Sequence, residues 1–170
     1  MGIYEPAEDS FLILRHIRAY SKSKRVLDMG SGSGILAFEA VKYAKSVTAA
    51  DINPRAVKKL KSKLNAVQSD LFSNIEGRFD LILFNAPYLP DGEAGSIETD
   101  GGESGSETIE RFLKEAKAHL APRGIILLVF SSYTGDLDSL FKREGYSFKQ
   151  VDKEKLFFEQ LYLYELRCNT

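Results

Sequence analysis

Val26-Leu27-Asp28-Met29-Gly30-Ser31-Gly32-Ser33-Gly34 sets three glycines at alternate positions where a buried strand hands over to a helix. Glycine lets the backbone fold tightly and approach a ligand closely, so the stretch reads as a loop built around something bound. In the usual dinucleotide fingerprint the last spacing is G-x-x-G, with helix N–H groups on a pyrophosphate. Here the spacing is G-x-G, and Asp28 lies two residues before Gly30. A carboxylate there repels phosphate but receives an ammonium group, so a zwitterionic cofactor fits better than a dinucleotide. A Gly-rich loop alone is weak support, and corroboration has to come from elsewhere in the chain.

Outward from this stretch, apolar runs bounded by turn residues recur with helical patterns between them, which predicts an α/β fold with a mostly parallel sheet. Strands are expected over residues 25–29, 47–51, 64–67, 79–84 and 124–130, and helices over 35–45, from about 54, 106–120 and 135–143. Pro6, the acids Glu8 and Asp9, and apolar Phe11, Leu12, Leu14 and Ile17 predict an N-terminal helix to about Tyr20, within a helical segment 1–22. Pro122-Arg123-Gly124 reads as a turn. Residues 146–151 and 157–166 alternate like strands and suit a closing antiparallel pair. Parallel strands need a crossover of about a dozen or more residues, usually helical. Only residues 68–78 separate the third strand from the fourth, so that sheet edge is expected to be thinly covered and open to a partner.

A chain of 170 residues with 44% hydrophobic composition fits one domain, 1–170, with one well-filled core. No run approaches the roughly 20 apolar residues of a membrane span, and the first residues lack the charged and apolar regions of a signal peptide; a cytoplasmic protein is expected. Cys168 is the only cysteine, which excludes an internal disulfide and a cysteine-rich metal site, and no metal is expected in this chain. Lys and Arg total 23 against 24 Asp and Glu, so no global positive field draws a polyanion. From Asp91 to Glu110 the acids are Asp91, Glu93, Glu98, Asp100, Glu103, Glu107 and Glu110, with no Lys or Arg between them. Within this stretch residues 90–105 form a long Gly-rich loop, and loops of that length are functional or mobile.

Asp51 ends the second strand about 20 residues after Gly30, where an acid accepts both hydroxyls of a ribose. Asp70 follows the third strand, able to accept from an adenine amino group with Leu71 flanking the ring; a turn or cap aspartate is an equally good account of it taken singly. Phe84-Asn85-Ala86-Pro87-Tyr88 closes the fourth strand. There an acceptor –NH2 would give one hydrogen bond to Asn85 Oδ1 and another to the carbonyl of residue 86, with Tyr88 stacked on the planar group. Asp28, Asp51, Asp70 and Asn85 therefore share the carboxyl ends of adjacent strands, where ligands bind in open α/β sheets.

This arrangement resembles the class I S-adenosylmethionine-dependent methyltransferases over nearly the whole chain. Tyr4-Glu5-Pro6-Ala7-Glu8-Asp9-Ser10, with Asp51-Ile52-Asn53-Pro54 and Asn85-Ala86-Pro87-Tyr88, is similar to the eukaryotic and archaeal HemK-like enzymes, which methylate the glutamine of the Gly-Gly-Gln motif in class 1 translation termination factors. The resemblance implies a Rossmann-like seven-stranded sheet of order 3-2-1-4-5-7-6 with the last strand antiparallel. It places Ser10, Asp28, Gly30, Gly32, Asp51, Asp70, Leu71 and Asn85 at the cofactor, Asn85, Ala86, Pro87 and Tyr88 at the acceptor, and Asp100-Gly101-Gly102 near the substrate entrance. It also implies a small zinc-binding activator protein over the third-strand edge. Ala86 departs from the family's Asn-Pro-Pro-Tyr: the carbonyl is kept and activity is expected to survive, but the fixed φ of proline is lost, which predicts a looser clamp and a lower rate.

Methyl transfer from a sulfonium to an amide needs the delocalised nitrogen lone pair held in line with the S–CH3 bond, so positioning carries the rate, and no base or metal is required. His16 and His119 read as packing or surface residues. The same clamp also serves adenine N6 and guanine N2. A base-modifying enzyme must hold phosphates around a flipped base, which the acidic stretch opposes, so a protein acceptor is favoured over a nucleic-acid amino-methyltransferase. Lysine methylation is the third chemistry the site allows, and a cofactor-binding assembly subunit without chemistry is the non-enzyme alternative.

Overall fold

The structure, a computed structural model, describes residues 2–87 and 106–169. In chain order it has helices α1 (Glu8–Leu14) and α2 (Ile17–Ser21), strand β1 (Arg25–Met29), α3 (Ile35–Val41), β2 (Ser46–Asp51), α4 (Pro54–Lys61), β3 (Asn65–Gln68), β4 (Phe79–Asn85), α5 (Glu107–His119), β5 (Leu120–Ser131), α6 (Asp138–Arg143), β6 (Tyr146–Lys155) and β7 (Gln160–Cys168). A short 3-10 turn, Ser132–Thr134, lies between β5 and α6. The seven strands form one sheet of order β3-β2-β1-β4-β5-β7-β6, as the resemblance implied. Strands β1 to β5 are parallel, and β7 runs antiparallel to both β5 and β6.

Strand periodicity divides the core cleanly. On β4 and β5, Leu81, Leu83, Ile125, Leu127 and Val129 face one layer, while Ile82, Phe84, Ile126, Leu128 and Phe130 face the other. The first layer is covered by Leu12 and Ile13 of α1, Ile17 of α2, Leu36, Ala37 and Ala40 of α3, and Val57 and Leu60 of α4. The second is covered by Ile109, Phe112, Leu113 and Ala116 of α5 and by Leu140 and Phe141 of α6. Strands buried on both faces need no alternation of apolar and polar residues, which is why β4 and β5 read as continuous apolar runs.

Four local expectations are corrected. The N-terminal helix starts at Glu8 and breaks at Arg15 and His16, because both side chains leave the helix to pair with β6: Arg15 with Glu154 at 2.6 Å and His16 Nε2 with Asp152 at 2.9 Å. Pro122-Arg123-Gly124 does not end the pairing. It bulges out of β5 between the pairs Phe79↔Leu120 and Leu81↔Ile125, with Arg123 in the left-handed region at φ +62°. Gly124 is required there, since a Cβ would meet Ala121 O at 2.8 Å. Finally, α6 begins only at Asp138, and Phe157, expected in a strand, sits with Phe158 in the β6–β7 turn.

The chain crosses from β3 to β4 without a helix; buried Phe72 and Ile75 plug the gap, and Phe72 stacks on His119 at 4.7 Å. His119 thus packs, while His16 pairs with Asp152 near the surface. No helix among the described residues is long and apolar enough to cross a membrane.

Candidate active site

Parallel pairing from β3 through β4 brings four strand ends to one edge, with Met29 level with Ala50 and Phe84, and Asp51 level with Gln68. The loop after β1 takes its shape from glycines in the left-handed region, Gly30 at φ +65° and Gly32 at φ +49°. A Cβ on Gly32 would lie 3.3 Å from the carbonyl of Tyr4, so the N-terminal segment packs directly on this loop. That segment is also held by Asn53, whose Nδ2 donates to Gly2 O at 2.5 Å while its Oδ1 caps α4 through the Arg55 N–H.

Asp28 lies under the loop. The cap residue of α3 is Gly34, which has no side chain to offer, and Asp28 Oδ2 supplies the missing acceptor, taking the Ala37 N–H at 3.0 Å. Burial pushes the Asp28 carboxyl up to about 7; the Ala37 N–H opposes this and the nearby Asp51 charge adds to it. Asp51, at the tip of β2, accepts the Gly32 N–H on Oδ2 at 2.7 Å and the Asn53 N–H on Oδ1 at 2.8 Å. Ser31, between two of the loop glycines, has a buried hydroxyl with no hydrogen-bond partner among the described residues.

Asp70 follows β3 and is half exposed; its carboxylate pairs with Arg111 of α5 and its N–H donates to Ser73 Oγ at 3.2 Å. The turn role weighed for it in sequence is therefore present, with an ion pair to α5 beside it. Leu71 beside it is buried in the left-handed region at φ +45°.

Asn85 ends β4 on the α1 side of the sheet. Its Nδ2 donates to Ser10 Oγ at 3.4 Å, Ser10 Oγ donates to Asp9 Oδ1 at 3.2 Å, and Tyr4 donates its hydroxyl to Asp9 Oδ2 at 2.6 Å. The direction of this chain matters. A carboxylate only accepts, so the Ser10 proton is committed to Asp9 and Ser10 Oγ is left as an acceptor toward Asn85. The amide must then turn Nδ2 to Ser10, and Oδ1, buried without a partner among the described residues, faces the other way. Asp9 and Tyr4 do not figure among the residues expected at the site. Asp9 reads in sequence as a first-turn acid complementing the helix dipole, and only its burial at 3% exposure tells otherwise.

Ala86 is buried and its N–H donates to Val129 O at 3.3 Å. A proline makes no such bond, so the lost φ restraint is replaced by one more rung of the β4–β5 ladder. Pro87 is half-buried. Tyr88, Asp100, Gly101, Gly102 and the rest of the 90–105 loop lie outside the described residues.

Chemically, the edge offers a glycine loop and two buried acids on one side, and beside them an oriented amide oxygen that accepts from an N–H. Residues 7–157 match the methyltransferase small domain. The chain is 42% identical over 161 residues to a Methanocaldococcus jannaschii protein assigned as a protein N5-glutamine methyltransferase, covering 86% of this chain and 81% of that one. It is 35% identical over 151 residues to the human methyltransferase HEMK2, covering 75% and 71%. Among solved structures it is similar to the E. cuniculi Mtq2–Trm112 complex, responsible for methylation of the eRF1 translation termination factor, with a TM-score of 0.83, 26% identity, and coverage of 99% and 100%.

Proposed function

The chain belongs to the methyltransferase small-domain family, and from that premise we propose that it transfers a methyl group from S-adenosylmethionine to the glutamine side chain of the Gly-Gly-Gln motif of a class 1 translation termination factor. The observation that carries the reading is the Asn85 amide, fixed by Ser10 and Asp9 so that a buried, unpartnered Oδ1 waits at the end of β4. An oxygen so placed accepts from a planar –NH2 and holds its plane. The Ala86 carbonyl, set by the Val129 rung and by Pro87 after it, is the second acceptor, and Tyr88 packs the amide plane. Two acceptors on both N–H bonds raise electron density on a nitrogen that is otherwise a poor nucleophile.

The loop residues fit the cofactor. Gly30 and Gly32 keep the backbone low, the buried Ser31 hydroxyl, without a partner among the described residues, lies within the loop, and Asp51, held at the tip of β2 by the Gly32 and Asn53 N–H groups, presents a carboxylate to the ribose hydroxyls. In this reading Asp28 places negative charge beneath the loop toward an ammonium group, Asp70 serves the adenine amino group once it shares with Arg111, Leu71 flanks the ring, and Ser10, bonded to Asn85, serves the cofactor as well. When bound, S-adenosylmethionine supplies an electrophilic methyl group on a sulfonium. The protein's part is to bind, orient and exclude water; the proton on the product nitrogen is acidic enough to leave to solvent. Asp100, Gly101 and Gly102 belong to the substrate entrance in this reading, and residues 1–170 act as one methyltransferase domain.

The Mtq2 neighbour is solved with a small partner, Trm112. We extend that arrangement here: β3, four residues long and paired on one side only, takes a small zinc-binding activator along its open edge, giving a heterodimer. An acceptor that works on the ribosome places the enzyme in the cytoplasm. The test uses the protein with and without that partner, a radiolabelled methyl donor, and three acceptors: the termination factor, its Gln→Ala variant and DNA. Label on the first alone is expected. Equal label on the first two, or label on DNA alone, overturns the acceptor assignment.

A further inference from the structure

Phe157 and Phe158 form the tip of the β6–β7 hairpin and are 91% and 81% exposed, whereas the other exposed large apolar side chains among the described residues are at most 50% exposed. The tip is built rigidly. Leu156 N–H donates to Glu159 O at 2.8 Å across the turn, Glu159 accepts from Ser131 Oγ at 2.6 Å, Gln160 N–H donates to Ser132 Oγ at 3.1 Å, and Tyr133 donates its hydroxyl to Phe158 O at 3.2 Å. The two rings meet edge to face at 4.5 Å. A turn held at four points that still turns two phenylalanines to solvent is a preorganised apolar anchor, the kind of group that dominates protein interfaces.

Its position says what the anchor faces. Ser131 pairs with Leu161 and Lys155 with Gln160, so the tip stands at the sheet edge that also carries Asn85, which is level with Val129 of β5. Asn85 is on β4, the cofactor-side residues are on β1, β2 and β3, and the tip lies on the opposite flank, about 10 Å across the sheet by strand spacing. A folded acceptor that inserts one side chain at Asn85 must rest its body on that flank. Resting on the acceptor reading given above, we infer that Phe157 and Phe158, with half-exposed Tyr133 and exposed Lys153 and Lys155, dock the acceptor protein itself. The surface they fit is an apolar pocket rimmed by acidic residues, beside the loop that carries the glutamine.

The test is steady-state methylation of the intact termination factor, with the activator partner present throughout, by the wild-type protein, Phe157→Ser/Phe158→Ser and Phe157→Leu/Phe158→Leu. The serine variant is expected to raise KM for the acceptor about ten-fold or more, with kcat and cofactor affinity within about two-fold, and the leucine variant to recover most of the loss. An unchanged acceptor KM overturns the docking role while leaving the acceptor reading intact. Absence of methyl transfer by the wild-type protein overturns the reading on which it rests. Two controls run beside it: sedimentation with phosphatidylserine vesicles, and analytical ultracentrifugation. Loss of vesicle binding or of a dimer in the serine variant, with acceptor KM unchanged, assigns the tip to a membrane or to a second copy and overturns the inference.

Discussion

Replacing Ser10 by alanine isolates the device that orients Asn85. In the wild-type protein an inverted amide would bring Oδ1 against Ser10 Oγ, whose proton is already given to Asp9 Oδ1 at 3.2 Å. Inversion would also forfeit the Nδ2–Oγ hydrogen bond, which at 3.4 Å belongs to the weaker end of the range. A net hydrogen bond is worth about 0.5–1.5 kcal/mol, so the correct orientation is favoured by roughly 1 kcal/mol or somewhat more. Ser10→Ala removes that bias and leaves both orientations equally placed. A bias of about 1 kcal/mol keeps roughly five amides in six productive, and equal placement keeps about half, so kcat is expected to fall by about two-fold. The assay is steady-state methylation of the termination factor, with cofactor affinity measured separately by calorimetry. The reasoning expects kcat at saturating cofactor to fall, cofactor affinity to weaken as well because Ser10 is also read as a cofactor residue, and Ser10→Thr, which restores a hydroxyl, to recover most of both. Unchanged kcat with a weakened cofactor would refute it, because Ser10 would then act on the cofactor alone.

Other perturbations probe the loop. Gly34→Ala sets a Cβ 2.4 Å from Leu60 Cδ2 and 3.1 Å from Phe38 Cε2 at φ +84°, so overpacking and left-handed strain together should cost about 2–4 kcal/mol, read as a lower Tm in a thermal scan; an unchanged Tm would show that α3 and α4 can separate freely. Asp28, raised from 3.8 to about 7, keeps its proton in the folded chain where the unfolded chain has lost it, so stability falls as pH rises through about 4 to 7 and levels off above. Asp28→Asn retains an acceptor for the Ala37 N–H and should remove that decline, measured as Tm at pH 4.5 and 7.5; the same decline in both proteins would assign it to another group. Asp51→Asn turns an NH2 against either Gly32 N–H or Asn53 N–H, and calorimetry should find cofactor affinity down about ten-fold, with equal affinity ruling Asp51 out as a ligand.

How much could be read without coordinates follows from which interactions were local. The β1 strand, its glycines and the helix after them are fixed by backbone rules that act within a few residues, and they appear where expected. The same holds for Asp51 and Asn85 at their strand ends, since a strand's end is marked by the turn that follows. The break at His16 was not legible because it is set by Asp152, 136 residues away. Pro122-Arg123-Gly124 carries a strong turn signal, and the neighbouring strand β4 overrode it by pairing on both sides of the bulge. Asp9 was hidden by the ambiguity of an acid in a first helical turn, where dipole complementation and a buried acceptor role share one sequence. Asp70 shows the reverse: both accounts weighed for it can hold at once, and its pairing with Arg111 required α5 to be placed.

The central claim is that a planar side-chain amide is gripped at Asn85 for methylation. Tandem mass spectrometry of the termination factor after reaction tests it most directly, with Asn85→Ala run in parallel. A single methyl on the side-chain nitrogen of the Gly-Gly-Gln glutamine is predicted with the wild-type protein, and about a hundred-fold less with the variant. A methyl on lysine, or the same glutamine methylated equally by both proteins, would contradict it.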